Sequence, residues 1–250
     1  MIRVSLVILT FNQRALTLAC LSSLEDFIWR EDCETILVDN GSDDGTCEAV
    51  NEAFPAVRVL RQERNLGVAA GRNVGLRQAR GRYLMILDND TEADCATILG
   101  LAAVLESDDG IGLVAPRLVS GRGDVQSSFR PYPGIMSKIW NVVRGKRRSS
   151  VASKIPKEAM EPFYVIGAAQ MFAADVYRAI GGLDENIFYG PEDADFCMAV
   201  RALGLRVVYE PSYSIVHHYQ RVTSGRLLSQ GARRHIKALL YFYRKHRRWL

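Results

Sequence analysis

Five short apolar runs constrain this chain more than any other feature. "VSLVIL" (4–9), "TILVD" (35–39), "VRVL" (57–60), "YLMILD" (83–88) and "IGLVAP" (111–116) are continuous rather than alternating. A strand with one wet face alternates apolar and polar side chains, whereas a strand covered on both faces reads as an unbroken run. Residues 14–26, 44–53, 68–80 and 93–106, between the runs, have helical composition. This alternation predicts an α/β fold with a doubly wound, Rossmann-like, mostly parallel central sheet and helices on both faces. Further along, "FYVIGAAQMFAA" (163–174) and "LRVVYEP" (205–211) predict strands, and "EDADFCMAVRAL" (192–203) predicts a helix. A chain of 250 residues can bury such a core without staples. The five cysteines are scattered and form no CxxC pair, which points to neither a zinc site nor a disulfide framework.

Several runs end in polar clusters. The first ends in Thr10-Phe11-Asn12, the second in Asp39-Asn40-Gly41-Ser42-Asp43-Asp44-Gly45, and the fourth in Asp88-Asn89-Asp90. Open α/β sheets bind ligands at the carboxyl ends of their strands, so these clusters are expected to share one rim. Two like charges that close are costly unless donors or a cation neutralise them, and a hard divalent ion such as Mg²⁺ or Mn²⁺ does so. The plainer reading of Asp88 and Asp90 is as caps for the helix starting near residue 93. Asp39 can accept hydrogen bonds from a base or ribose. Asp43 and Asp44 suit the turn and the helix after it. In "NLGVAAGRNVGL" (65–76), the glycines permit close backbone approach and Arg72 can meet a base or phosphate.

Glu192, Asp193 and Asp195 crowd a predicted helix N-terminus behind Pro191. Capping accounts for some of this, at roughly 0.3–1 kcal/mol per acid. Three acids exceed what a cap needs, and a carboxylate in a cleft is a candidate proton acceptor.

Taken together, "VILTFNQ", "LVDNGSDDGT", "NLGVAAGRNVGL", "ILDNDTE", "GGLDENIFYGPEDADFCMAVRALG" and "HHYQRVTS", in this order, resemble a family 2 glycosyltransferase of the GT-A fold, rhamnosyltransferase-like in type. The resemblance runs from residue 2 to about residue 224. It implies an inverting, metal-dependent enzyme that moves a sugar from a uridine- or thymidine-diphosphate donor, with rhamnose a candidate, to an acceptor hydroxyl in glycan or cell-surface polysaccharide synthesis. It also implies that Thr10, Phe11, Asn12, Asp39, Asn65, Gly67, Arg72, Asp88 and Asn89 border the nucleotide sugar. Asp90, Asp88 and a histidine, His217 rather than His218, would hold the metal. Asp193 would be the general base, with Glu192 orienting it or the acceptor. The strand "VIGAAQMF" would floor the acceptor site, with Gly167, Ala168 and Gln170 facing it.

The implied organisation is one domain over 1–224, with a nucleotide-sugar half (1–116) and an acceptor half (117–224). The basic, serine-rich stretch at 144–160 reads as a mobile loop. The tail, 225–250, reads as a basic amphipathic helix; from Arg226 onward it carries eight Lys or Arg and no acid. A solvated face is its plain reading, and peripheral contact with an anionic membrane is the other. With no apolar stretch long enough to span a bilayer, a cytoplasmic enzyme that binds no nucleic acid is expected. Two rival readings remain open. An aspartyl-phosphate phosphatase also ends a strand in D-x-D, but Glu92 stands where that class places Thr or Val. A non-catalytic nucleotide-sugar binder would need no base, and the Glu192-Asp193 pair argues against it.

Overall fold

The computed structural model describes residues 1–131, 156–218 and 230–247. Most of the 144–160 loop, residues 219–224 of the last motif, and the two ends of the tail with Trp249 lie outside the described residues. The main sheet runs in the order β3-β2-β1-β4-β10-β6-β11-β5, with β7 paired to β6. Its strands are β1 (Val4–Thr10), β2 (Cys33–Asp39), β3 (Arg58–Arg61), β4 (Tyr83–Asp88), β5 (Thr91–Glu92), β6 (Ile111–Val119), β7 (Val125–Gln126), β10 (Ala169–Ala173) and β11 (Arg206–His217). Two short strands, β8 (Phe129–Arg130) and β9 (Tyr164–Val165), pair separately.

The sheet is doubly wound and mostly parallel, as expected. Strands β3, β2, β1 and β4 are parallel neighbours, and so are β6 and β11. Between these groups, β10 runs antiparallel to both β4 and β6. The chain leaves β1 toward β2 and β3, then returns to β1's other side as β4. The crevice where the winding reverses therefore lies between the ends of β1 and β4.

The unbroken apolar runs are explained by burial on both faces. Along β4, Met85 and Leu87 join one core cluster, while Leu84 and Ile86 join the other. The first cluster packs under α1 (Arg14–Ser23), α2 (Glu25–Ile28) and α5 (Cys95–Ser107). The second packs under α4 (Val68–Leu76), α6 (Ala174–Ile180) and α7 (Glu192–Ala202). A short α3 (Thr46–Ala53) follows β2. Of the predicted elements, "VRVL" lies largely in the edge strand β3, whose end residues Arg58 and Arg61 are exposed. The segment 163–174 is two strands, because Ile166, Gly167 and Ala168 leave the ladder between them. "LRVVYEP" is the first part of a longer strand, irregular between Glu210 and Ser214, that carries the chain on to His217.

Helix α8 (Gln230–His246) does not stand apart from the domain. Phe242 and Tyr243 are buried against Ala194, Met198 and Tyr164. Tyr241 donates to Asp184 at 2.9 Å, and Lys245 bridges Asp184 and Asp195 at 2.7 and 2.9 Å. One face of the amphipathic tail is thus part of the fold. None of the described helices is long and apolar enough to cross a membrane.

Candidate active site

Asp88 closes β4, Asp90 lies two residues on, and His217 closes β11. One ligand atom from each falls within a set whose members all lie within 4.8 Å of one another. The turn at residues 89–90 between β4 and β5, closed by Thr91 Oγ1 donating to the Asp88 carbonyl at 2.7 Å, keeps Asp90 beside Asp88. The short β5 then pairs Thr91 with His217, which delivers the histidine from 126 residues downstream. The capping alternative for these two acids is excluded, because α5 is capped by Asp94, whose carboxylate accepts from Thr97 N at 2.6 Å.

The histidine is oriented by a residue that carries no signal in the sequence. Gln126 on β7 donates Nε2–H to the His217 carbonyl at 2.8 Å and places its Oε1 3.0 Å from His217 Nδ1. With Gln126 Oε1 as the acceptor at Nδ1, the ring turns Nε2 toward the acids, 3.5 Å from Asp90 Oδ1. A carbonyl held against one ring nitrogen is the usual support of a metal-binding histidine. Two carboxylates and one imidazole so arranged suit Mn²⁺ or Mg²⁺ in donor type. His218, one residue on, faces the other way and meets Glu92 at 2.6 Å.

Arg72 sits behind the cluster. The family pattern would have it beside the base, but its side chain is only 4 % exposed and is spent inside the protein. Its Nη2 lies 2.5 Å from Asp88 Oδ1 and donates to the Gly167 carbonyl at 2.8 Å. Its Nη1 lies 3.6 Å from Glu192 Oε1. Burial works against the charge on Arg72, but Asp88 and Glu192 outweigh it and raise the group further above its already high value.

Glu192 and Asp193 open α7. Asp193 is half-buried and its carboxyl is pushed up to about 7, first by burial and then by the charge of Glu192. The backbone N–H of Ala194, Arg72 and the N–H of Gly167 pull in the opposite direction. A carboxylate with affinity for a proton near neutrality has what a general base needs. Asp195, in the same turn, faces away from the crevice and is held by Lys245 and His246.

Most of the other expected site residues are engaged in local networks. Asp39 is fully buried and accepts from Ser42 N at 3.1 Å, Ser42 Oγ and Cys47 Sγ, so a base reaching it would have to displace those donors. It reaches the rim only through Ser42, whose Oγ accepts from Asn12 N at 2.9 Å. Thr10 and Asn89 are buried in one network with Thr17. Asn65 closes its own loop by accepting from Gly67 N at 2.9 Å. Gly67 makes room for Phe188, not for a ligand: a Cβ there would meet the Phe188 carbonyl at 2.6 Å. Gly167 makes room for Arg72 in the same way, at 2.7 Å. Ala168 is buried and its carbonyl accepts from Asp88 N at 2.9 Å. Gln170 is fully buried and donates to the Val165 carbonyl at 2.9 Å, so it does not face an acceptor. Phe11 and Asn12 remain exposed at the end of β1, with Asn12 in the left-handed region at φ 52°.

Comparison with known proteins places this geometry. A search of curated proteins finds the N-acetylglucosaminyl-diphospho-decaprenol L-rhamnosyltransferase of Mycobacterium tuberculosis, 24% identical over 86% of this chain and 76% of that protein. The pre-mycofactocin glycosyltransferase of the same organism is 29% identical over 74% of this chain and 37% of its own length. Among solved structures, a mannosyltransferase from Pyrobaculum calidifontis in complex with GDP-Man and Mn²⁺ superposes with a TM-score of 0.63 at 21% identity, covering 88% of this chain. GalNAc-T7 with UDP, GalNAc and Mn²⁺ superposes at 0.71 and 16% identity, covering 98%. This chain spans 58% and 48% of those two structures, and the likeness shows the shared GT-A fold. The model of the family described as glycosyl transferase family 2 matches residues 5–156, more than half of the sequence, and the chain belongs to that family.

Proposed function

We propose that this chain is an inverting, metal-dependent glycosyltransferase that moves a sugar from a uridine- or thymidine-diphosphate donor to an acceptor hydroxyl. The observation that carries the reading is the joining of two acidic centres by one arginine. Asp88, Asp90 and His217 converge at the crevice, and Arg72 connects Asp88 to Glu192 beside Asp193. Phe11 and Asn12 offer an exposed rim for the base, with Asp39 stiffening that rim through Ser42.

Asp88, Asp90 and His217 would hold the cation. When bound, it supplies Lewis-acid stabilisation of the charge on the departing diphosphate. Asp193 takes the proton of the acceptor hydroxyl as that oxygen forms its bond to the anomeric carbon. The bond from that carbon to the diphosphate breaks on the opposite face, its electron pair leaves with the nucleoside diphosphate, and the anomeric centre inverts. Glu192 orients Asp193 and, by its charge, favours the protonated state that follows transfer.

The mycobacterial relative's name supports rhamnose as a candidate sugar and a lipid-linked sugar diphosphate as a candidate acceptor, in cell-surface glycan synthesis. A second feature favours a membrane-borne acceptor. The outward stripe of α8 presents Arg233, Ile236, Lys237, Leu240 and Arg244, all exposed, at helical spacing. Three basic and two apolar residues with no acid among them suit an anionic lipid surface.

A thermal-shift screen of nucleoside diphosphates and nucleotide sugars, with and without Mn²⁺, identifies the donor by mass-action stabilisation. With that donor, Asp193→Asn is expected to lower transfer by roughly 10²–10⁴-fold while donor affinity holds. Substantial turnover by Asp193→Asn rejects the base, and donor binding with no turnover by the native chain favours a sensor.

A further inference from the structure

Arg72 raises a question that the role of the two acidic centres does not answer. Its guanidinium is buried, yet Nε and Nη1 have no hydrogen-bond partner, and neither does the buried Oε2 of Glu192. Buried polar atoms are ordinarily satisfied, and each orphan costs about 1–3 kcal/mol. Of these unmet groups, Nη1 is the one turned toward the Glu192 carboxylate. At 3.6 Å, Nη1 and Glu192 Oε1 attract as ions but are too far apart for a hydrogen bond. A closure of roughly 0.7 Å would make one.

We propose that Arg72 is a positioning residue that couples the two acidic centres, so that filling the cation cluster draws the start of α7 into its working register. The argument starts from charge. Asp88 is shared: one oxygen meets Arg72, and the carboxylate also belongs to the cation cluster. A dication held there takes up part of the Asp88 charge that now balances Arg72. Among the described residues, Glu192 is the other acid in ion-pair range of Arg72, with the Asp193 charge acting on the same guanidinium less strongly. A buried ion left uncompensated costs several kcal/mol, so Arg72 is drawn to Glu192 as its hold on Asp88 weakens.

The second part of the argument is mechanical. Arg72 is anchored by the Gly167 carbonyl, and the N–H of Gly167 reaches the Asp193 carboxylate. Both acids at the start of α7 are therefore tied to the same guanidinium, one directly and one through Gly167. Closing the Arg72–Glu192 gap restrains Asp193 as well. Only a forked, planar cation can hold Asp88, Gly167 and Glu192 together, which a lysine cannot do. The donor would thus bind first and complete the base's setting before the acceptor is engaged.

This inference rests on the cation cluster proposed above. Its test is hydrogen–deuterium exchange on the full chain with Mn²⁺ plus uridine diphosphate, then with Mn²⁺ plus thymidine diphosphate. In the native chain, amides 84–92 are expected to be protected and amides 189–196 to exchange at least about threefold more slowly. In Arg72→Lys, and in the near-isosteric Glu192→Gln, protection of 84–92 is expected to remain while that of 189–196 is lost. Thermal melts identify whether either variant has failed to fold; Glu192→Gln carries the test if Arg72→Lys does. Retention of the 189–196 effect in the folded variants overturns the coupling while leaving the cation cluster intact. Absence of protection at 84–92 in the native chain with both nucleotides overturns the cluster, and the coupling with it.

Discussion

Two stretches of the same sheet edge are built from the same residue types and come out differently. At the ends of β1 and β2, Thr10, Asn12, Asp39, Asn40 and Ser42 are satisfied by one another, by nearby backbone, or by Thr17 and Asn89. At the ends of β4 and β11 and the start of α7, Asp88, Asp90, Glu192 and Asp193 gather four carboxyl groups around one buried arginine. The first region is closed, and its polarity builds loops. The second is left with excess negative charge and orphaned buried atoms. Like charges persist at close range only where something else neutralises them, so it is the under-satisfied stretch that calls for a ligand. Polarity at a strand end is therefore a poor guide to chemistry until its hydrogen bonds have been followed.

Substitutions on either side of this contrast should have opposite signatures. The largest effect is expected from Asp90→Ala, which should reduce Mn²⁺-dependent binding of a nucleoside diphosphate by more than roughly 100-fold in calorimetry. Equal affinity with and without the metal, in native and variant chains, would remove Asp90 from the cluster. Gln126→Leu should weaken the same binding by about 10–100-fold, because His217 loses the carbonyl that orients its ring. An unchanged affinity would make Gln126 a bystander.

The pH dependence follows from Asp193. Its carboxyl is raised to about 7, and only the ionised form accepts a proton, so activity should fall as pH drops through that value. One unit below, transfer should stand at about a tenth of its plateau. A rate constant flat from pH 5 to 8 would contradict the assignment. On the closed side, Asp39→Ala should cost about 1–3 kcal/mol of stability by orphaning the donors of Ser42 and Cys47. Diphosphate affinity should change by less than about threefold. A collapse of binding without loss of stability would return Asp39 to direct contact with the base. The smallest effect is expected of Ile236→Ser with Leu240→Ser, which should reduce sedimentation with phosphatidylglycerol vesicles severalfold and leave the melting temperature near native, since both side chains are half-exposed.

How much was legible in advance differs by residue. Asp88, Asp90 and Asp193 could be named because strand and helix termini have sequence signals of their own. His217 could be preferred to His218 because it directly follows an apolar run, and pairing with Thr91 gives the reason that preference works. Gln126 gave no signal: it belongs to a two-residue strand, and its partner is 91 positions away. At Gly67 and Gly167 the close approach made in the structure is by Phe188 and Arg72, which the sequence could not indicate because what approaches a glycine is decided by other elements.

By itself, the sequence determined where the longer strands and helices of the first half run, where the helix at 192 begins, and that the sheet is covered on both sides. Those are matters of periodicity and burial, written locally along the chain. Only the tertiary structure decided which polar strand ends are already satisfied, that Arg72 turns inward to join Asp88 and Glu192, and that one face of α8 is core rather than surface. The reason is physical: hydrogen bonding and charge balance are settled between elements distant in the chain, by whichever groups the fold brings within about 3–4 Å.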